Sequence, residues 1–252
     1  MRVLIIIPAY NEQDALGGVL GEIRSLDFPE LETVVVDDGS TDRTAEVARA
    51  GGARVLRLCR NLGIGGAVQS GLRLARREGF DCAVQVDGDG QHLPGELHRL
   101  LEAAREPDAP DLIVGTRYRD GEASAEADQS RFRSTVMRRV GSWWLRAILR
   151  VLTGVRVTDP TSGFRLYGAR ALTLFDETYP YDFPEPESLA IARVAGLRIT
   201  EVPVTMRERQ GGTSSISGMS APYYMVKVTI AIVLTYVRAP RRPKRRETER
   251  DT

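Results

Sequence analysis

The chain has 252 residues, enough for one large core or two small ones. It is 42% apolar and 27% charged with a formal net charge of +1, a globular balance that argues against a general nucleic-acid binder. The charge is uneven: the last fifteen residues, RAPRRPKRRETERDT, concentrate basic side chains and read as a solvated, disordered tail.

The amino-terminal run MRVLIIIPAYNE is too short for a signal peptide and is ended by Pro8, so a cytoplasmic protein is expected. Apolar runs follow at 2–7, 33–37, 53–58, 82–86 and 111–115, separated by helical patterns at 12–26, 41–50, 64–78 and 94–105. Continuous apolar strands alternating with helices predict a parallel α/β sheet covered on both faces. Thr41 and Pro94 read as helix starts, Gly51 and Gly79 as stops. The two cysteines, Cys59 and Cys82, lack CxxC spacing and read as core residues, with neither a disulfide framework nor a zinc site.

Ligands of an open α/β sheet collect at the carboxyl ends of its strands. Those ends carry PAYNE (8–12), DDGSTD (37–42), RNLGIGG (60–66), DGDGQH (87–92) and GTRY (115–118). Beyond them, 119–130 reads as a polar loop and 131–153 as a basic amphipathic helix. In that helix Arg139, Arg146 and Arg150 lie on one face, and Met137, Trp144, Ile148, Val151 and Leu152 on the other. Packing on the domain and lying on a membrane surface both fit such a helix. Residues 222–238, apolar nearly all round except for Lys227, would form a helix of about 26 Å, short of a comfortable membrane span. Arg238, Arg241, Arg242, Lys244, Arg245 and Arg246 follow at once and suit an anionic membrane face.

The stretch AVQVDGDGQHLP admits several readings. A hairpin turn fails because Pro94 opens a helix where the second strand should be. An EF-hand loop fails because Gln91, His92 and His98 replace its ligands and its glycine. A dinucleotide fingerprint fails because the first strand runs into PAYNE, and the later GIGGAVQSG lacks the third glycine. What remains is a carboxylate pair at a strand end, either a plain turn or a metal site.

In order and spacing, IIIPAYNE, VVVDDGSTDRT, NLGIGGAVQSGL and VQVDGDGQH resemble the GT-A glycosyltransferases of family 2. The later TDPTSGFRLY and EVPVTMRERQGGTSS look like the polyprenyl-phosphate sugar transferases of the dolichol-phosphate mannose synthase type. The resemblance implies a GT-A fold, a mostly parallel Rossmann-like sheet with helices on both faces. It implies a nucleotide-sugar site formed by Pro8, Ala9, Tyr10, Glu12, Asp38, Asp87, Gly88 and Arg209, with Asp38 accepting from the base and Asp37 orienting its turn. Ser40 and Thr41 read equally well as cap residues. Asp87 and Asp89 match the DxD metal motif and Gln91 a third ligand position for Mg²⁺ or Mn²⁺ bridging a diphosphate. Gly88 and Gly90 would let the diphosphate approach the backbone.

Arg117, Arg131 (or Arg133) and Ser134 fall where relatives hold an acceptor phosphate. The usual Ser-Lys after the RQGG motif is Ser214-Ser215 here, so one diphosphate contact is either missing or supplied by Arg207. Glu185 and Glu187 fall where members that glycosylate hydroxyls carry a general base. TSGFR (161–165) reads as structural, with Arg165 a lesser acceptor candidate.

These readings divide the chain into a GT-A domain over 1–218, a membrane- or partner-associated helix over 219–238 and a basic tail over 239–252. Within the domain, 1–118 forms a nucleotide-sugar and metal half and 119–218 an acceptor half. The expected activity is metal-dependent inverting transfer, with Asp89 and Arg117 in the catalytic set, from a UDP- or GDP-sugar to a polyprenyl phosphate at the cytoplasmic membrane face. The alternative is transfer to a hydroxyl of a glycan or lipid-linked saccharide with Glu185 or Glu187 as base. The reading from another class is a non-catalytic scaffold for a membrane partner.

Overall fold

A computed structural model describes residues 1–26, 28, 30–118, 136–207 and 220–238. In chain order the elements are β1 (Val3–Ala9), α1 (Leu16–Arg24), β2 (Leu31–Asp37), α2 (Thr44–Ala50), β3 (Arg54–Arg57), α3 (Gly63–Arg77) and β4 (Cys82–Gln85). A 3₁₀ turn (Pro94–Glu96) leads into α4 (Leu97–Arg105), β5 (Leu112–Thr116), α5 (Val136–Thr153), β6 (Arg165–Gly168), α6 (Ala169–Glu177), α7 (Pro184–Val194), β7 (Ile199–Pro203) and α8 (Ser220–Arg238). The described strands form one sheet in the order β3-β2-β1-β4-β6-β5-β7. It is the expected mostly parallel α/β sheet. Only β6 runs the other way, antiparallel to both β4 and β5.

Alternation along the strands builds two cores. Leu4 and Ile6 of β1 face one side with Val34 and Val36 of β2, and α3, α5, α6, α7 and α8 cover them. Ile5 and Ile7 face the other side with Val35, under α1 and α4. A strand buried on both faces has no room for alternating polar residues, which is why β1 reads as an unbroken apolar run. Gly71 lets α3 lie directly on Ile6.

Several boundaries differ from expectation. The second helix begins at Thr44 rather than Thr41, because Asp42 Oδ1 accepts the Thr44 amide and caps the turn. The elements β6, α6, α7 and β7 have no counterpart in the sequence reading. Cys82 is buried, with its thiol pushed up to about 12 by desolvation, but Cys59 is exposed and not a core residue.

The two apolar C-terminal helices pack on the domain. Leu145 and Leu149 of α5 and Val228 and Ile232 of α8 enter the same core as β1. Trp144 and Val151, expected on the covered face of α5, are exposed, and the Trp144 indole donates to Thr229 Oγ1 at 2.9 Å. Among the described residues no helix is long and apolar enough to cross a membrane.

Strand order reverses at β1, which pairs with β2 on one side and β4 on the other. Such a switch point opens a crevice at the carboxyl strand ends. Pro8 and Ala9 end one of these strands and Asp87 follows the other.

Candidate active site

The loop after β4 is tightly specified. The Asp87 amide donates to His92 Nδ1 at 3.0 Å, so the His92 proton is assigned to Nε2, which lies 3.6 Å from Asp87 Oδ2. His92 is buried and stacked on Phe164 with ring centroids 5.1 Å apart. Asp89 Oδ1 accepts the Gln91 amide at 2.9 Å, and Gly90 turns the chain at φ 79°. Gly90 is needed for that conformation, whereas Gly88 lies under the Pro8 carbonyl. The Gly90 carbonyl accepts from Arg207 Nε, and Arg207 also pairs with Glu22 at 2.8 Å. Arg207 therefore braces this loop.

The carboxylate of Asp87 sits against Gly163 of TSGFR. A Cβ at Gly163 would lie 3.0 Å from both Asp87 oxygens and 3.1 Å from Gln85 Nε2. Gln85 in turn accepts from the Tyr167 hydroxyl at 3.1 Å, and Tyr167 meets Tyr179 at 3.1 Å. The carboxylate thus has a built rear wall. Among the described residues no group of three or more His, Cys, Asp or Glu side chains forms a metal shell. Two hard carboxylates fit Mg²⁺ or Mn²⁺ all the same, because such ions complete their coordination with water and substrate phosphates.

The nucleotide wall is held from the β2 side. Asn11 adopts φ 54°, and its amide donates to Ser40 Oγ at 3.0 Å while its Oδ1 accepts the Thr41 amide at 2.9 Å. The Glu12 amide donates to Thr44 Oγ1 at 2.9 Å. These bonds fix PAYNE beside DDGS and leave the Tyr10 ring exposed over the crevice rim. Asp37 orients its turn as expected, accepting the Ser40 amide at 2.9 Å. Asp38 departs from expectation: its two oxygens accept the Leu62 and Gly63 amides at 2.7 and 2.8 Å, so it caps α3 and is not placed as a free acceptor for a base. Burial raises its pKa, against those two amide bonds.

On the other flank, Arg117 makes a two-pronged ion pair with Asp159, Nε to Oδ2 at 2.7 Å and Nη2 to Oδ1 at 2.9 Å. Burial raises the Asp159 pKa, but the Arg117 charge and hydrogen bonds outweigh it and hold the carboxyl below its usual range. Glu201 supports the same turn by accepting the Thr158 and Asp159 amides at 2.7 and 2.9 Å. The Arg117 fork, expected on an acceptor phosphate, is thus occupied by a carboxylate. Arg131, Arg133, Ser134, Arg209, Ser214 and Ser215 lie outside the described residues.

Arg165 is completely buried and donates to the Ser162 and Pro160 carbonyls and to Ser188 Oγ at 2.7 Å, a structural rather than an acceptor role. Ser188 Oγ also donates to the Glu185 carbonyl, so Arg165 fixes the first turn of α7 against β6. That turn separates the two glutamates. Glu185 lies within electrostatic reach of the carboxylate loop: burial raises its pKa, Arg165 opposes this, and the charge of Asp87 adds to it. Glu187 faces α8, with Thr235 Oγ1 at 3.5 Å, and does not join the site. Sequence reasoning missed His92, Gly163, Asp159 and Gln85 as site residues. All four lie inside the quoted motifs, Gln85 and His92 in VQVDGDGQH and Asp159 and Gly163 in TDPTSGFRLY, but residue type alone did not single them out.

The sequence profile described as Glycosyl transferase family 2 matches residues 4–174. An undecaprenyl-phosphate mannosyltransferase of Micrococcus luteus is 37% identical over 91% of this chain and 93% of its own length. A polyprenol monophosphomannose synthase of Mycolicibacterium smegmatis is 34% identical over 90% and 85%. Among solved structures, glucosyl-3-phosphoglycerate synthase from Mycobacterium tuberculosis, with Mn²⁺, UDP and phosphoglyceric acid bound, superposes with a TM-score of 0.69. It is 23% identical, covers 95% of this chain and 79% of that one, and shares the fold.

Proposed function

The chain belongs to glycosyl transferase family 2, and from this premise we propose that it moves a sugar from a nucleotide-sugar to a lipid-linked acceptor at the cytoplasmic face of a membrane, with Mg²⁺ or Mn²⁺. It is a glycosyltransferase, so the scaffold reading falls away. The observation that carries the metal and donor assignment is the rigid Asp87–Asp89 loop at the switch point, backed by Gly163. Asp87 and Asp89 would hold the ion. Bound there, it supplies Lewis-acid neutralisation of the charge that develops on the leaving diphosphate. The solved relative with Mn²⁺ and UDP bound is in keeping with this.

The acceptor nucleophile has two readings. A hydroxyl, the alternative drawn from the sequence, is supported by Glu185, a partly buried acid within electrostatic reach of Asp87 whose pKa burial raises. Glu185 would take the hydroxyl proton as the new glycosidic bond forms and the bond from the anomeric carbon to the diphosphate breaks, inverting that carbon. The names of the two mannosyl-transferring relatives favour the other reading, a polyprenyl phosphate, whose oxygen is already anionic and needs no base. Glu185→Gln decides between them. Loss of a base costs about 10²–10⁴ in rate with nucleotide affinity unchanged. A loss of less than about tenfold would give the phosphate first place.

Membrane attachment rests on the outer faces of α5 and α8. Trp143, Val151, Tyr223, Val226, Tyr236 and Val237 are exposed there, and in the sequence a basic stretch begins at Arg238, where α8 ends. Exposed apolar rings beside cations suit the boundary of an anionic bilayer.

A further inference from the structure

The described residues hold another concavity beside the site. It is a groove of about 590 Å³ between α7 and α8, ended by the link Thr178–Phe183. Phe183, Ile191, Ile230, Ala231 and Leu234 line it, and Lys227 and Arg238 stand at its rim. Along α8 the roles alternate: Val228 and Ile232 enter the core, while Ile230 and Leu234 remain exposed toward the groove.

The groove shares a wall with the active site. The first turn of α7 carries both Glu185, within electrostatic reach of Asp87, and Glu187, which lines the groove. The end link belongs to both places as well, since Tyr181 lines the groove and the Pro180–Tyr181 backbone presses on Gly65, in the first turn of the helix that Asp38 caps.

We propose that this groove receives the hydrocarbon chain of the acceptor, whose polar head reaches the Asp87 loop over the amino end of α7. The inference rests on the lipid-linked part of the reading above and holds for either nucleophile. The lining argues for a chain and against a compact polar ligand. Its acids, Glu177, Asp182 and Glu187, outnumber Lys227 and Arg238, so an anionic head is repelled from the groove and belongs outside it. Lys227 is already set over the Tyr223 ring at 4.8 Å, and burial raises the pKa of Glu187 against its Thr235 bond. The apolar part of the lining, Phe183, Ile191, Ile230, Ala231 and Leu234, suits a flexible hydrocarbon. Its open flank lies on the same apolar face of α8 that is proposed to meet the bilayer, the source of such a chain.

The test uses the full chain with nucleotide-sugar and metal. Acceptors are a short and a long prenyl phosphate, and a short-chain and a long-chain alkyl glycoside, in matched micelles. Leu234→Glu places a charge on the exposed groove wall, and Ala231→Trp fills the groove. The wild-type protein is expected to show a KM at least tenfold lower for the long member of the series it uses. Both variants should lose that preference while keeping KM for the short acceptor, donor affinity and melting temperature. An unchanged chain-length preference in Leu234→Glu and Ala231→Trp overturns the inference. If neither series accepts sugar, the lipid-linked reading fails, and binding of a dansylated long alkyl chain then judges the groove alone. Binding to wild type and not to the variants supports it, and equal binding or none overturns it.

Discussion

At Gly163 a single missing methyl group decides how the Asp87 carboxylate stands. A Cβ there would come within 3.0 Å of both its oxygens, closer than ordinary packing allows, and the carboxylate would have to rotate. Gly163→Ala is expected to weaken Mg²⁺- or Mn²⁺-dependent nucleotide binding about 10- to 100-fold, the usual cost of disturbing a ligand's support, with the melting temperature held. Titration calorimetry with UDP- and GDP-sugars checks it. Asp89→Ala should abolish metal-dependent binding and transfer outright, and turnover by that variant in EDTA would refute the metal assignment. Asp159 carries the pH dependence of the opposite flank. Its depressed pKa means that the Arg117 pair stabilises the fold fully above the ordinary Asp value of about 3.9 and is lost as pH falls through the lower folded value. Asp159→Asn should remove that acid-side loss and cost no more than about 3 kcal/mol at neutral pH, the low end for a buried pair, because water reaches Arg117. Denaturant melts of both proteins between pH 2 and pH 7 read this directly. The position of Asp87 and Asp89 after an apolar strand was legible in the sequence, and their reading as a DxD pair came from the resemblance of the surrounding motifs. Its rear wall was not, since Gly163 is 76 positions away in sequence from Asp87 and meets it only once β6 pairs with β4.

Among the elements, α8 combines a buried seam with an exposed apolar face. Truncating it would confound two effects, since Val228 and Ile232 belong to the core. Point changes separate them. Ile232→Ala should cost about 2–5 kcal/mol of stability, as a large side chain leaves a packed site. Val237→Glu, on an exposed position, should leave stability within about 0.5 kcal/mol and weaken pelleting with anionic vesicles. Equal pelleting of Val237→Glu and wild type would remove α8 from the membrane face. The elements of the first half were legible because buried parallel strands are unbroken apolar runs. Elements β6, α6, α7 and β7 were not. Strand β6 has only four residues and opens on Arg165, a cation whose burial depends on Ser162, Pro160 and Ser188. Helix α7 opens on Pro184-Glu185-Pro186-Glu187, which reads as a loop, although proline is at home in a first helical turn.

At the scale of the whole molecule, the sheet joins two stretches of chain that meet only at its centre. Strand β6 stands between β4 and β5, with Gln85 opposite Arg165 in register. This arrangement has a consequence for the chain while it is being made. Synthesis proceeds from the amino end, so β3, β2, β1 and β4 leave the ribosome well before β6. Until Gly168 has emerged, β4 is an open, apolar sheet edge of the kind that recruits other strands. A nascent chain halted near residue 118 would carry both metal carboxylates and still be inert and prone to clump, and a holding chaperone would be needed in the interval. The wall behind Asp87 is set late in translation, when β6 closes that edge and brings Gly163 to it.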